Sequence, residues 1–259
     1  MSDKQINAVM IEKQVLHDHL FVFKFKPEGW TIPDFKPGQF SSLGIFKPDS
    51  TPEKPKLLRR AYSIASSPKE KAALEFYITL VDEGALTPKL AAMNVGDRLW
   101  MDPKIDGHFT LDPIPAGRDL VLISTGTGLA PYISMLRTFN KTGRWRKLVI
   151  LNGVRVARDL AYVDELNRAC AADPNIHFIP MVTREPNWGG RCGRVNSFFE
   201  GDEYQKVVGV PLDPANTHVL LCGNPDMIDS MLKFLEERGF REYHQRKSPD
   251  GNVHFERYW

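Results

Sequence analysis

Leu120-Val121-Leu122-Ile123-Ser124-Thr125-Gly126-Thr127-Gly128-Leu129-Ala130-Pro131 is the stretch from which the fold can be read. Its apolar start is what a strand buried on both faces requires. The two glycines that follow let a backbone approach a ligand closely. Pro131 then suits the first turn of a helix, where its missing N–H would be unpaired anyway. Free N–H groups at a helix start attract phosphate, and ligands of open α/β sheets bind beyond the carboxyl ends of the strands. The spacing is not G-x-G-x-x-G, so the usual dinucleotide fingerprint is absent. Glycines that serve only the packing of a tight strand–helix turn are the competing reading.

Downstream the same rhythm repeats. A helix with Ile133, Leu136 and Arg137 at helical spacing follows the first strand. Strands are predicted at 147–151, 178–182 and 219–222, with a helix near 162–172. A last helix at 225–238 places Met227, Ile228, Met231, Leu232 and Leu235 on one stripe and stops at Gly239. Strands alternating with helices predict a parallel α/β layer. Upstream, the first 110 residues read as β, with runs at 20–25, 60–65, 74–80 and 97–101 punctuated by Pro and Gly. An antiparallel barrel or sandwich is predicted there, with a short helix at 87–93 that has Pro88 in its first turn. The expected domains are 1–110, a Pro-bearing linker at 111–117, and 118–259.

Bulk properties narrow the function classes. The 259 residues are 42% hydrophobic and 25% charged, with a formal net charge of +2. That composition suits a globular protein and argues against a general nucleic-acid or membrane-surface binder. Cys170, Cys192 and Cys222 are scattered, so neither a disulfide framework nor four thiolate ligands for an iron–sulfur cluster can be assembled. The seven histidines show no metal-ligand spacing, and no metal is expected. No run approaches the roughly 18 apolar residues of a membrane span, and no signal peptide is read at Met1-Ser2-Asp3-Lys4-Gln5. A cytoplasmic, soluble protein is expected.

Four further sets carry chemistry. In Arg60-Ala61-Tyr62-Ser63, Arg60 and Tyr62 share a strand face and would meet a ligand with an anionic and a planar part. By itself the tetrapeptide also reads as a buried strand ending in a satisfied tyrosine. Cys222-Gly223-Asn224-Pro225 repeats the strand–turn–helix arrangement, with Asn224 as helix cap. Cys222 is either a small core residue or packs against a planar ring; no histidine lies near it in sequence to support thiol catalysis. Arg155, Thr183-Arg184 and Arg194 lie beyond strand ends as a phosphate clamp. No acidic residue ends the second strand to read a ribose 2′-hydroxyl, which favours NADP over NAD. Solvated loop charges are the alternative for each arginine. Finally, Tyr258-Trp259 place two aromatics at a chain end, where docking on a flat cofactor or in an ordinary groove would tie them down.

Taken in order, Pro37-Gly38-Gln39-Phe40, Arg60-Ala61-Tyr62-Ser63, Gly126-Thr127-Gly128-Leu129-Ala130-Pro131, Cys222-Gly223-Asn224-Pro225 and Tyr258-Trp259 resemble the ferredoxin–NADP reductase family over essentially the whole chain, its bacterial flavodoxin/ferredoxin-using branch most of all. The resemblance implies a six-stranded antiparallel β-barrel carrying FAD, then a five-stranded parallel α/β nucleotide-binding domain carrying NADP(H). It implies an oxidoreductase that exchanges electrons between NADP(H) and ferredoxin or flavodoxin. A free-flavin or ferric-siderophore reductase on the same fold is the alternative. For FAD it implies Arg60, Ala61, Tyr62, Ser63, Tyr77, the backbone of Ala85-Leu86-Thr87, Thr125, Tyr258 and Trp259. For NADP it implies Gly126, Thr127, Gly128, Val154, Arg155, Thr183, Arg184, Arg194, Gly223, Asn224 and Pro225. Ser63, Cys222 and Glu256 are the catalytic candidates. An acidic carrier would dock on Arg137, Lys141, Arg144, Arg146 and Lys147, with Lys54, Lys56 and Arg59, and the enzyme is expected to act as a monomer.

Overall fold

The computed structural model describes residues 5–51, 53, 54 and 56–258. They form two compact units: the residues up to Thr110 with Ala130–Thr138, and Leu111–Leu129 with the residues from Phe139 onward.

The first unit contains strands β1 (Ala8–His17), β2 (Leu20–Pro27), β3 (Phe40–Phe46), β4 (Leu57–Ser63) and β5 (Leu74–Thr79), helix α1 (Thr87–Ala92) and strand β6 (Arg98–Met101). Their antiparallel order is β4-β3-β6-β1-β2-β5. The two edges meet through a bridge between Ile64 and Phe76 and through the Ala65 N–H donating to the Glu75 carbonyl at 2.8 Å. That contact curls the sheet into the expected barrel. Its core follows the alternation of β2, where Phe23 and Phe25 are fully buried with Phe76, Leu43 and Met10. At the closing edges, Arg137 donates to Glu75 Oε1 at 2.9 Å and to the Ala65 carbonyl at 3.2 Å. The Glu75 side chain is only 5% exposed, so it depends on that partner. Leu90 anchors α1, and Pro88 occupies its first turn as predicted.

No pattern in the residues announces β1, the longest strand of the barrel. Two irregularities explain it. The pairing with β2 slips between Met10 and Glu12 and again between Val15 and His17, so the period-2 pattern never runs for long. Ile11 and Val15 also stay 44% and 56% exposed, which blurs the inside–outside alternation further. In β3, Ser41 and Ser42 dilute the apolar signal; Ser41 is buried and donates to the Asp102 carbonyl at 3.0 Å.

The second unit contains β7 (Arg118–Thr125) with its Gly-rich 3-10 turn, then β8 (Trp145–Val154), α3 (Val163–Ala172), β9 (Ile176–Val182), β10 (Arg191–Cys192), α4 (Glu203–Val208), β11 (Thr217–Gly223), α5 (Pro225–Glu236) and β12 (Val253–Arg257), while α2 (Ala130–Phe139), which follows the turn, groups with the first unit except for its last residue. All six strands are parallel, in the order β10-β9-β8-β7-β11-β12. The expected count of five is corrected to six. The two-residue β10 is too short to leave a pattern, and β12 carries only Val253-His254-Phe255-Glu256-Arg257, which no apolar run announces. Arg144 pins the segment before β7 by donating to the carbonyls of Leu111, Ile114 and Pro115. The Asn224 side chain caps α5 by accepting from the Met227 N–H at 3.2 Å, as predicted.

Beside the core, β11 and β12 bring His218 and His254 together with ring centroids 5.8 Å apart, and Tyr243 lies 4.6 Å from His254. Burial is the main reason that both imidazoles are pushed down to about 4, with the cations Arg118 and Arg144 adding to the effect at His218 and His218 itself at His254. The unfolded chain takes up these protons near the ordinary value of 6.5, while the folded chain refuses them until about 4. The contribution of these two histidines to stability is therefore fully present above pH 6.5 and is lost as pH drops through that window. Melting curves between about pH 7.5 and about pH 5 are expected to show a falling Tm that His254→Phe makes shallower. An unchanged slope in that variant would remove the pair as the cause.

Candidate nucleotide-binding sites

The parallel register sets Pro180, Asn152, Ser124, Cys222 and Glu256 side by side across β9, β8, β7, β11 and β12, at the carboxyl edge of the sheet. Immediately beyond this row the backbones crowd. A Cβ on Gly128 would overlap the Cys222 carbonyl, and a Cβ on Gly223, at φ +127°, would overlap the Thr125 hydroxyl oxygen. Thr125 Oγ1 instead accepts from the Asn224 N–H at 2.9 Å, which fixes the start of α5 against the end of β7. Gly126 differs: at φ +50° it has nothing within 4 Å of where a Cβ would stand. Gly128 and Gly223 serve packing, and Gly126 leaves open space. Thr127 between them is buried.

Asn152 was not among the candidates. It is 1% exposed, and its amide donates to Ser124 Oγ at 2.9 Å and to the Gly126 carbonyl at 3.2 Å, while its Oδ1 has no partner among the described residues. A lone amide inside the apolar run of β8 was the available signal, because a buried polar group needs a reason.

Arg155, Arg184 and Arg194 emerge beyond three adjacent strands. Val182 pairs with Val154 on one side and Cys192 on the other, so Arg155 lies one residue past that row and Arg184 and Arg194 lie two residues past it. Backbone bonds join the loops: Thr183 N–H to the Val154 carbonyl at 3.0 Å and Arg184 N–H to the Arg155 carbonyl at 2.8 Å. All three arginine side chains are exposed, and none has a carboxylate partner among the described residues. Neighbouring arginines are engaged by contrast: Arg191 pairs with Glu203 at 2.8 Å and Arg257 with Asp229 at 2.6 Å.

Cys222 is fully buried. Burial foremost, and then the Glu256 carboxylate beside it, pushes the thiol well up, with a hydrogen bond from the Tyr258 side chain pulling the other way. Such a thiol stays protonated, which leaves it packing or neutral hydrogen bonding rather than thiolate chemistry. Glu256 is paired in register with Cys222 and is half-buried. Tyr258 is tied down by its N–H donating to the Gly223 carbonyl at 3.0 Å. Trp259 lies outside the described residues.

In the barrel, Arg60 and Ala61 are exposed on β4, and Ser63 at its end is buried. Arg60 lies close enough to act on the Tyr62 phenol, and among the described residues its guanidinium donates only to the Arg59 carbonyl, at 2.8 Å. The Tyr62 hydroxyl is buried and has no partner among the described residues. Burial pushes it up to about 12, with Arg60 pulling back, so it is a neutral donor at physiological pH. Tyr77 is 3% exposed on β5. Ala85 and Leu86 lead into α1, and the Thr87 hydroxyl closes the preceding loop by accepting from the Val81 N–H at 3.0 Å and donating to its carbonyl at 3.1 Å.

Of the cations expected to dock a carrier, most are already used. Arg137 holds Glu75, Arg144 holds three carbonyls, Arg146 pairs with Asp119, Lys56 pairs with Asp49, and Arg59 lies 3.7 Å from Asp102 and over Trp100. Lys54, Lys141 and Lys147 have no ion pair among the described residues.

Residues 122–233 match the family described as an oxidoreductase NAD-binding domain. The chain is 34% identical, over 88% of its length and 89% of the relative's, to the flavodoxin/ferredoxin–NADP reductase of Buchnera aphidicola subsp. Baizongia pistaciae. This chain belongs to the flavodoxin/ferredoxin–NADP reductase family. The Escherichia coli K12 member is 34% identical over 75% of this chain and 76% of its own. A solved ferredoxin–NADP+ reductase from Neisseria gonorrhoeae, with bound FAD and NADP, superposes with a TM-score of 0.86 at 25% identity, covering 98% of both chains.

The residues present fit the two nucleotides that the reductase family implies. The orphaned Tyr62 hydroxyl and the exposed Arg60 beside it suit a flavin nucleotide, and the three unengaged arginines with the open space at Gly126 suit a phosphorylated dinucleotide. Among the described residues no cluster of His, Cys, Asp or Glu could hold a metal ion, and no helix is long and apolar enough to cross a membrane. Gly126 and Gly128 can be separated by substitution. Gly128→Ala is expected to lower Tm by several degrees, because backbone must move, whereas Gly126→Ala meets only the φ penalty of about 1 kcal/mol. Equal Tm values in thermal unfolding would contradict this division.

Proposed function

We propose that this protein is an FAD-dependent oxidoreductase that exchanges electrons between NADP(H) and a one-electron carrier, ferredoxin or flavodoxin. The observation that carries the reading is the trio of exposed, unpaired arginines beyond β8, β9 and β10, in a chain so similar to named flavodoxin/ferredoxin–NADP reductases. FAD, when bound, supplies the exchange between one two-electron hydride step and two one-electron steps.

This chain's own residues bind, orient and shield. Arg155, Arg184 and Arg194 hold the 2′-phosphate of NADP(H) through charge-assisted hydrogen bonds, with Val154 and Thr183 setting the backbone from which the first two project. The turn Gly126-Thr127-Gly128 receives the pyrophosphate, and Gly223-Asn224-Pro225 lines the nicotinamide end. On the flavin side, Arg60 takes the pyrophosphate, Tyr62 offers a ring face and a neutral hydroxyl, and Ala61, Ser63, Tyr77, Ala85, Leu86, Thr87, Thr125 and the terminal Tyr258 and Trp259 complete the binding set. Ser63 and Glu256 are the candidates to handle a proton; Cys222 packs as a neutral thiol. Lys54, Lys141 and Lys147, which have no ion pair among the described residues, would attract an acidic carrier, which would make carrier turnover salt-sensitive. Three unpaired cysteines agree with a cytoplasmic location, and one chain with both nucleotide sites needs no second copy.

The test is NADPH-dependent reduction of a ferredoxin and a flavodoxin from the same source. At least one carrier is expected to be reduced, and Arg184→Ala combined with Arg194→Ala is expected to raise KM for NADPH roughly a hundredfold while changing that for NADH little. Equal losses for the two nucleotides would remove the 2′-phosphate assignment. Reduction of added free flavin with neither carrier reduced would overturn the function.

A further inference from the structure

The run Thr183-Arg184-Glu185 grips the run 154–157 at three points. Val154 O accepts from the Thr183 N–H at 3.0 Å and from its hydroxyl at 3.1 Å, and Arg155 O accepts from the Arg184 N–H at 2.8 Å. The two bonds to Val154 O fix Arg155 from its N-terminal side, and the third holds its own carbonyl on the C-terminal side. Two residues further on, the Ala157 N–H donates to Glu185 Oε2 at 2.8 Å. The half-buried Glu185 therefore closes the grip around Arg155. Without it, the chain beyond Arg155 is held by the weaker contact of the Val156 N–H with Asp159 Oδ2 at 3.4 Å and by its own short turn. An exposed arginine has many rotamers to lose on binding a phosphate, so a fixed backbone origin matters to how many of its conformers reach the ligand.

We propose that Glu185 is a positioning residue for the 2′-phosphate of NADP(H): its carboxylate latches the loop after β8 to the loop after β9, so that Arg155 and Arg184 are presented together, and it makes no contact with the nucleotide itself. The inference rests on the reading of the three arginines as the 2′-phosphate clamp. A carboxylate beside an anion site repels the anion, and here its bond to a backbone N–H offsets part of that repulsion. Because the latch needs an acceptor and not a charge, glutamine can replace glutamate; alanine cannot.

Calorimetric titration of the flavin-loaded protein with adenosine 2′,5′-bisphosphate and with 5′-AMP tests this apart from turnover. The unsubstituted protein is expected to prefer the bisphosphate; no preference would defeat the clamp reading and the latch with it. Given that preference, Glu185→Ala is expected to weaken the bisphosphate roughly tenfold with 5′-AMP unchanged, and to raise KM for NADPH without lowering kcat. Glu185→Gln is expected to stay within about twofold of the unsubstituted protein. A bisphosphate preference untouched by Glu185→Ala would overturn the proposal, as would a glutamine variant that loses as much as the alanine one. Tighter bisphosphate binding in both variants would show that the carboxylate acts by repulsion instead.

Discussion

Two backbones that pass too close for a side chain hold the carboxyl edge of the parallel sheet together. Gly128 lies against the carbonyl of Cys222, and Gly223 lies against Thr125. From this approach follow the bond of Asn224 N–H to the Thr125 hydroxyl, the starting point of α5, and the turn that leaves Gly126 facing open space. Buried polar groups support the same edge. Asn152 ties the carbonyl of Gly126 to β8, so the turn is braced from both neighbouring strands. Bracing of this kind is what lets backbone N–H groups be presented without reorganisation when an anion arrives.

A second constraint is the division of arginines into those that folding uses and those it leaves. Arg137, Arg144 and Arg146 look alike in the sequence, yet each is spent on a buried carboxylate or on carbonyls. Among the described residues, the side chains of Arg155, Arg184 and Arg194 are spent on nothing. An unengaged guanidinium beyond a strand end retains its full capacity for a bidentate phosphate contact. The same distinction narrows carrier docking from a broad basic face to a few lysines, which shifts that part of the account from local contact toward long-range steering.

Much of this was legible in the sequence because the informative segments obey one rule at a time. The buried strands β7, β8, β9 and β11 are short apolar runs, and α5 shows cap, stripe and stop in order. The segments that escaped mix rules. In β1 two slips of register break the alternation, in β3 two serines replace apolar residues, and β10 is two residues long. Within the site, the glycines, the arginines and Tyr62 announce themselves by residue type. Asn152 announces itself only as a lone amide in an apolar run, and Glu185 not at all, since its bond to Ala157 depends on which strand ends lie side by side, a property of the parallel register rather than of local sequence.

A crystal structure of the protein with FAD and NADP+ bound tests the account most directly. The 2′-phosphate is expected among the guanidiniums of Arg155, Arg184 and Arg194, with the pyrophosphate over Gly126 and a flavin nucleotide contacting Arg60 and the Tyr62 hydroxyl. Density that places the 2′-phosphate away from all three arginines, or that leaves the Tyr62 hydroxyl without a ligand contact, would contradict it.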